Sequence, residues 1–169
     1  MVVTGRWQFA LDQNFPQPIM DALGRFMPDV QLTPIRVIDE RLPDLGDREL
    51  IIALHQLGWE ALVTNNYRML SNPQELAAVL KTKVTVIAIE GLGHDMVRAS
   101  GALLLELPGV CKRLVPATGQ LFVLHPRDPR PRPPWEQFKR VAQHAHRDVN
   151  DLYDEVKVSD DELTRPILA

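Results

Sequence analysis

The chain has 169 residues, 45% of them hydrophobic and 24% charged, with a formal net charge of −3 and one cysteine, Cys111. A chain of this length buries roughly two thirds of the surface its unfolded form exposes, so a single core needs neither a disulfide nor a metal to fold. The lone cysteine excludes a disulfide framework and any multi-cysteine metal centre, and the acidic balance excludes a global basic field, so nucleic-acid binding would have to come from a local patch.

In chain order, Trp7-Gln8-Phe9-Ala10-Leu11 alternates large apolar with small or polar residues and predicts a strand that ends at Asp12. Pro16 and Pro18 mark the entry to a helix with Ile19, Met20, Leu23 and Phe26 on one face, stopped by Pro28. Val30-Gln31-Leu32 predicts a short second strand cut off at Pro34, and residues 38–46 read as polar and irregular. Asp47 is placed to cap a helix that runs through Leu57 with Leu50, Ile51 and Leu54 on its apolar stripe, and Gly58 is the expected stop. Ala61-Leu62-Val63-Thr64 is continuous in apolar character, as suits a strand buried on both faces.

Asn72-Pro73-Gln74-Glu75 predicts a helix start in which Asn72 caps and Glu75 reaches back, with the helix ending near Lys81. Residues 84–89 form the clearest strand and end in Glu90, followed by a turn through Gly91 and His94 to Asp95. A helix over Val97–Leu107 closes at Pro108 and Gly109, and Leu121-Phe122-Val123-Leu124 is a fifth strand. Strands alternating with helices at this spacing predict an α/β fold, a three-layer α/β/α sandwich around a mainly parallel sheet.

The stretch 126–134 holds five prolines and three arginines, Arg127, Arg130 and Arg132, and reads as an extended linker. Beyond it, Trp135 to Val158 reads as helical, with Trp135, Phe138, Val141, Leu152 and Val156 near one face. The division is therefore a domain over 1–125, a linker over 126–134 and a C-terminal helix and tail over 135–169. No stretch approaches the roughly 18 apolar residues of a membrane span, and no leader-like segment opens the chain, so the expected location is the cytoplasm.

Ligands of open α/β sheets bind outside the carboxyl ends of the strands. The polar residues expected there are Asp12 with Asn14, then Thr64-Asn65-Asn66, then Glu90, His94 and Asp95, while Asp47 and Glu49 can reach the same edge. These are hard oxygen ligands without a thiolate, a set that suits Mg²⁺ or Mn²⁺. Each also has a plainer reading: Asp12 and Asp47 as caps, Glu49 as a solvated first-turn acid, Asn65 and Asn66 as turn residues, His94 as a loop histidine. Cations that could hold phosphates are Arg68, Lys81, Lys83, Arg98, the Lys112-Arg113 pair and the three linker arginines.

The order of Leu11-Asp12-Gln13-Asn14-Phe15-Pro16, then Asp47-Arg48-Glu49-Leu50, then Leu62-Val63-Thr64-Asn65-Asn66-Tyr67-Arg68-Met69-Leu70, then Lys83-Val84 through Glu90-Gly91, resembles that of PIN-like domains. The nearest group is that of VapC-type toxins from bacterial toxin–antitoxin pairs, and the similarity runs from about Trp7 to Leu124. The resemblance implies a metal-dependent endoribonuclease whose acids bind Mg²⁺ or Mn²⁺, which activates water for attack on an RNA phosphodiester. It implies Asp12 as the acid after the first strand, Asp47 (with Glu49 as alternate) as the acid of the central helix, and Asp95 near the later acidic position. Asn66 falls where many relatives carry an aspartate; that departure removes a negative charge, lowers the expected metal affinity and makes a second metal doubtful. A cognate antitoxin, an RNA substrate and a homodimer are implied in the same way, with no membrane partner. The alternative is a non-catalytic PIN-like interaction module that docks a partner through its C-terminal helix. A phosphate-binding α/β domain is disfavoured, because no glycine-rich loop follows the first strand.

Overall fold

The computed structural model describes residues 7–12, 15, 23, 25–91, 95–125, 131 and 133–160, grouped in two units, Met1–Arg127 and Asp128–Ala169. In the first unit five strands form one sheet: β1 (Trp7–Leu11), β2 (Val30–Pro34), β3 (Ala61–Thr64), β4 (Thr85–Ile89) and β5 (Leu121–Leu124). Their order is β2-β1-β3-β4-β5 and every pairing is parallel. Between them lie α1 (Ile35–Ile38), α2 (Asp47–Gln56), α3 (Pro73–Thr82) and α4 (Met96–Arg113), with 3₁₀ turns at Leu42–Asp44 and Tyr67–Ser71.

Parallel strands need crossover helices, and those helices cover both faces of the sheet. Along each strand, alternate side chains therefore enter different cores. Phe9, Leu11, Val63, Ile87 and Ile89 pack with Leu103, Leu107 and Val110 of α4. Ala10, Leu62, Val86 and Ala88 pack with Leu50, Ile51 and Leu54 of α2 and with Ala78 and Val79 of α3. This double burial explains the continuous apolar runs of β3 and β4.

The structure moves several boundaries. Pro34 does not cut β2 off: it is the strand's last residue, paired with Leu11, on an edge strand where a missing N–H is tolerated. The short helix α1 fills residues 35–38, between β2 and the stretch expected to be irregular, and shares only Ile38 with it. The helix stop at Gly58 holds, at φ 78°, with Gly58 N–H donating to His55 O and Trp59 N–H to Leu54 O, a Schellman closure. Pro108 does not end α4, which continues to Arg113. An interior proline costs about 3 kcal/mol, but the residues beyond it include Val110, buried in the sheet-facing core, and Cys111 and Leu114, packed against or within that core. Leu104, whose carbonyl loses its partner, lies on the exposed side of the helix, within reach of water.

The first helix expected over 16–28 lies largely outside the described residues, as do Asn14, His94, Arg127, Arg130 and Arg132.

The second unit holds two helices where the sequence reads as one: α5 (Pro134–His144) and α6 (Val149–Val156). Between them His146 takes a left-handed φ of 53°, Arg147 N–H donates to Ala142 O, and Asp148 caps α6 through Asn150 N–H and Asp151 N–H. Trp135 stacks on Phe138 at a centroid distance of 5.6 Å, and Tyr153 meets both rings edge-on, at 5.3 and 5.6 Å. Among the described residues no helix is long and apolar enough to cross a membrane.

Candidate functional site

The strand order contains one topological switch. From β1 the chain passes outward to β2 on one side and then returns to the other side of β1 as β3. Segments leaving the carboxyl ends of β1 and β3 therefore diverge, and a crevice opens between them, the usual ligand position in this architecture. Asp12 follows β1 there and Thr64 ends β3.

One hydrogen-bonded chain crosses the crevice. Asp12 N–H donates to Val63 O at 2.9 Å, which extends the β1–β3 ladder by one residue and fixes where the Asp12 side chain starts. Thr64 Oγ1 donates to Asp12 Oδ2 at 2.8 Å and accepts from the Asn66 backbone N–H at 3.0 Å. Asn66 Nδ2 then donates to Asp47 Oδ2 at 2.7 Å. Residues far apart in sequence, Asp12, Asp47, Thr64 and Asn66, are thereby joined in a single network.

Asp47 is not the cap of α2. Gly46 occupies the N-cap position, and its carbonyl accepts from Leu50 N–H, while Asp47 is the first helical residue with its carboxylate turned to Asn66. The helix N-terminus favours an anion there. Even so, burial holds the Asp47 carboxyl above its ordinary value, the nearby charge of Asp12 pushes the same way, and the Asn66 amide opposes both.

Glu75 is the acid that the sequence reading leaves out of the site. Asn72 does cap α3, accepting from Gln74 N–H at 3.1 Å, but Glu75 does not close the box on the backbone: its Oε1 takes the Asn72 side-chain amide at 2.8 Å. Its Oε2 is buried without a hydrogen-bond partner. Burial, and then the charge of Asp47, raise the Glu75 carboxyl. The packing of α2 against α3 brings it toward Asp47, and no local motif announces that juxtaposition.

The other expected site residues are less central. Glu49 is exposed in the first turn of α2. Asp95 caps α4, accepting from Arg98 N–H at 3.0 Å. Asn65 is buried, with Nδ2 on Met96 Sδ at 3.9 Å. Glu90, after β4, holds His125, after β5, with Oε2 2.6 Å from Nδ1.

The cations divide by edge. Lys81 and Lys83 end the α3 crossover and Lys112 and Arg113 end α4, so all four lie toward the amino ends of the strands, opposite the acids. Arg68 and Arg98 follow strand ends and remain on the acidic side. In a parallel sheet every crossover helix returns the chain to the far edge, which is why linear proximity misplaces Lys81 and Lys83 beside the acids.

Among the described residues, no three His, Cys, Asp or Glu side chains group closely enough to hold a metal. The donors on hand are the carboxylates of Asp12 and Asp47, with Asn66 presenting its amide nitrogen to Asp47.

Residues 8–91, just under half of the chain, match the family model described as a PIN like domain. The matched stretch contains Asp12, Asp47, Thr64, Asn66 and Glu75, the whole network and its added acid. Comparisons with curated proteins and with solved structures gave no match.

Proposed function

We propose, on the premise that residues 8–91 are PIN-like, that the chain is a metal-dependent endoribonuclease working at the crevice between β1 and β3. The observation that carries this reading is the hydrogen-bonded chain from Asp12 through Thr64 and Asn66 to Asp47. Two carboxylates held on one network, one of them resisting ionisation, make a site that gains from a cation.

The donor set suits a single Mg²⁺ or Mn²⁺, which is commonly held by one or two carboxylates with water and substrate phosphate completing the shell. When bound, such an ion would activate a water and stabilise the departing oxygen of a phosphodiester. The chain's own residues position the ligands. Thr64 fixes Asp12 against the sheet, and Asn66, anchored by its backbone on the same hydroxyl, orients Asp47. Glu49 and Asp95 would contribute only from the periphery.

In the biological setting this reading entails, the protein is the VapC-like toxin of a toxin–antitoxin pair, acts on RNA in the cytoplasm, forms a homodimer and is restrained by a cognate antitoxin. The resemblance in motif order supports that setting. A second reading, a non-catalytic PIN-like module, draws on the Asn66–Asp47 bond, in which an amide stands where an acid would add charge.

Cleavage of structured RNA in Mg²⁺ or Mn²⁺ separates the two, comparing the native chain with Asp12→Ala and Asn66→Asp. Metal-dependent cutting, lost in Asp12→Ala and stronger in Asn66→Asp, is expected. If neither the native chain nor Asn66→Asp cuts any RNA, the nuclease reading is wrong.

A further inference from the structure

The carboxyl edge of the sheet continues beyond the crevice and ends in a second polar pair. The register that sets Ile89 beside Leu124, and the bond from Glu90 N–H to Leu124 O at 2.9 Å, place Glu90 and His125 next to each other. His125 Nδ1 lies 2.6 Å from Glu90 Oε2, and the side chains are 68% and 40% exposed, so neither serves the core.

We propose that the Glu90–His125 pair is a second phosphate contact, in which Glu90 fixes the imidazole and His125 Nε2 binds a phosphodiester oxygen of the same RNA strand that Asp12 and Asp47 engage. The inference rests on the nuclease reading and names a substrate contact outside its acidic centre.

The chemistry of the pair, its distance from Asp12 and its place on the carboxyl edge support it. A carboxylate only accepts, so Nδ1 carries the proton between the two groups, and Nε2, on the other side of the ring, is left for a ligand. With a proton on each ring nitrogen, the imidazole can bridge Glu90 and a phosphate through a charge-assisted bond on each side.

The spacing also fits a strand rather than a single nucleotide. From β1 to β5 there are three strand intervals, roughly 14 Å at about 4.8 Å each. That is too far for His125 to share the phosphate at Asp12, and it suits a phosphate further along an extended chain.

Finally, an acidic crevice needs help to attract a polyanion. Basic groups in the segments that follow the strands, among them Arg48, Arg68, Arg98 and His125, lie toward this edge and can supply it.

The test is fluorescence anisotropy of a dye-labelled single-stranded RNA, with Ca²⁺ in place of Mg²⁺ to suppress cleavage, repeated over a salt series. His125→Gln is expected to weaken binding several-fold and to lower the slope of log Kd against log salt by about 0.7, the release expected for one phosphate on a single strand. Glu90→Ala should also weaken binding, whereas Glu90→Gln, which still accepts from Nδ1–H, should keep most of it. Thermal melts of the same variants confirm that they are folded.

Unchanged affinity and slope in His125→Gln would overturn the proposal. So would tighter binding in Glu90→Ala, the result of a simple loss of negative charge, or an absence of RNA binding by the native chain. The cleavage assay reads the other question. Cutting with a silent His125→Gln sinks this contact alone. A His125-dependent salt slope without cutting by either the native chain or Asn66→Asp sinks the nuclease reading and leaves the contact standing.

Discussion

Asn66 holds Asp47 from the side: its Nδ2 donates to Asp47 Oδ2 at 2.7 Å while its backbone N–H is fixed on Thr64 Oγ1 at 3.0 Å. The amide thus does locally, with a hydrogen bond, part of what a cation would do with charge. Asn66→Asp removes the donor and sets a third carboxylate against Asp47 and Asp12. Without metal this should cost about 1–3 kcal/mol of stability. With Mn²⁺ the variant should recover more stability than the native chain does, because a ligand held only by the folded state stabilises it. Thermal melting with chelator and with Mn²⁺ reads both effects, and equal Mn²⁺ gains in the two proteins would contradict the placement.

Thr64 is the hinge of the network, since its one hydroxyl serves both Asp12 and Asn66 and the residue is only 1% exposed. Thr64→Val keeps the shape and loses both bonds. The expected loss is about 1–3 kcal/mol in urea unfolding, since the Asp12 carboxylate and the Asn66 N–H lose a partner in a half-buried place. Metal affinity should drop roughly tenfold or more, as it does when groups that orient ligands are removed. Thr64→Ser should stay close to the native chain in metal affinity.

The parts of this molecule that were legible in the sequence are those set by local chemistry. Continuous apolar runs marked β3 and β4, Asn72-Pro73 marked the start of α3, Gly58 marked the end of α2, and the acids after strand-like runs marked the carboxyl edge of the sheet. What escaped depends on where crossovers carry the chain. Lys81 and Lys83 lie near Glu90 in sequence but toward the opposite edge of the sheet. Glu75 reads as a capping residue until α2 packs on α3. Pro108 reads as a stop because a local penalty is visible in one dimension, and the burial that offsets it is not.

Pro108→Ala follows from that balance. The ring at 108 removes an N–H that Leu104 O would otherwise accept, in a helix whose flanking residues Leu107 and Val110 are already buried. Alanine restores the bond and adds no bulk. Unfolding free energy should rise by about 1–3 kcal/mol, read as a higher urea midpoint with an unchanged denaturant slope. A lower midpoint would mean that the ring's own packing outweighs the lost bond.

Asp47 gives the site a pH signature with a definite sign. Its folded carboxyl is held above the ordinary 3.8 by burial and by Asp12, so the folded protein binds that proton more tightly than the unfolded chain does. Below about 3.8 both forms are protonated and there is no penalty. As pH rises through the raised folded value, the penalty develops in full and persists above it. Asp39 acts oppositely: its hydrogen bonds to Arg41 hold its carboxyl well below the ordinary range, so its contribution is present above 3.8 and lost as pH falls further. The two overlap in the native protein, and Asp47→Asn isolates the first. Without metal, the variant should be more stable than the native chain near pH 7, and the difference should shrink toward pH 4, followed by urea unfolding at each pH. Adding Mn²⁺ near neutrality should reverse the order, because the ion favours the ionised carboxylate that protonation otherwise replaces. A difference independent of pH, or one that grows on acidification, would show that Asp47 is not the strained acid of this crevice.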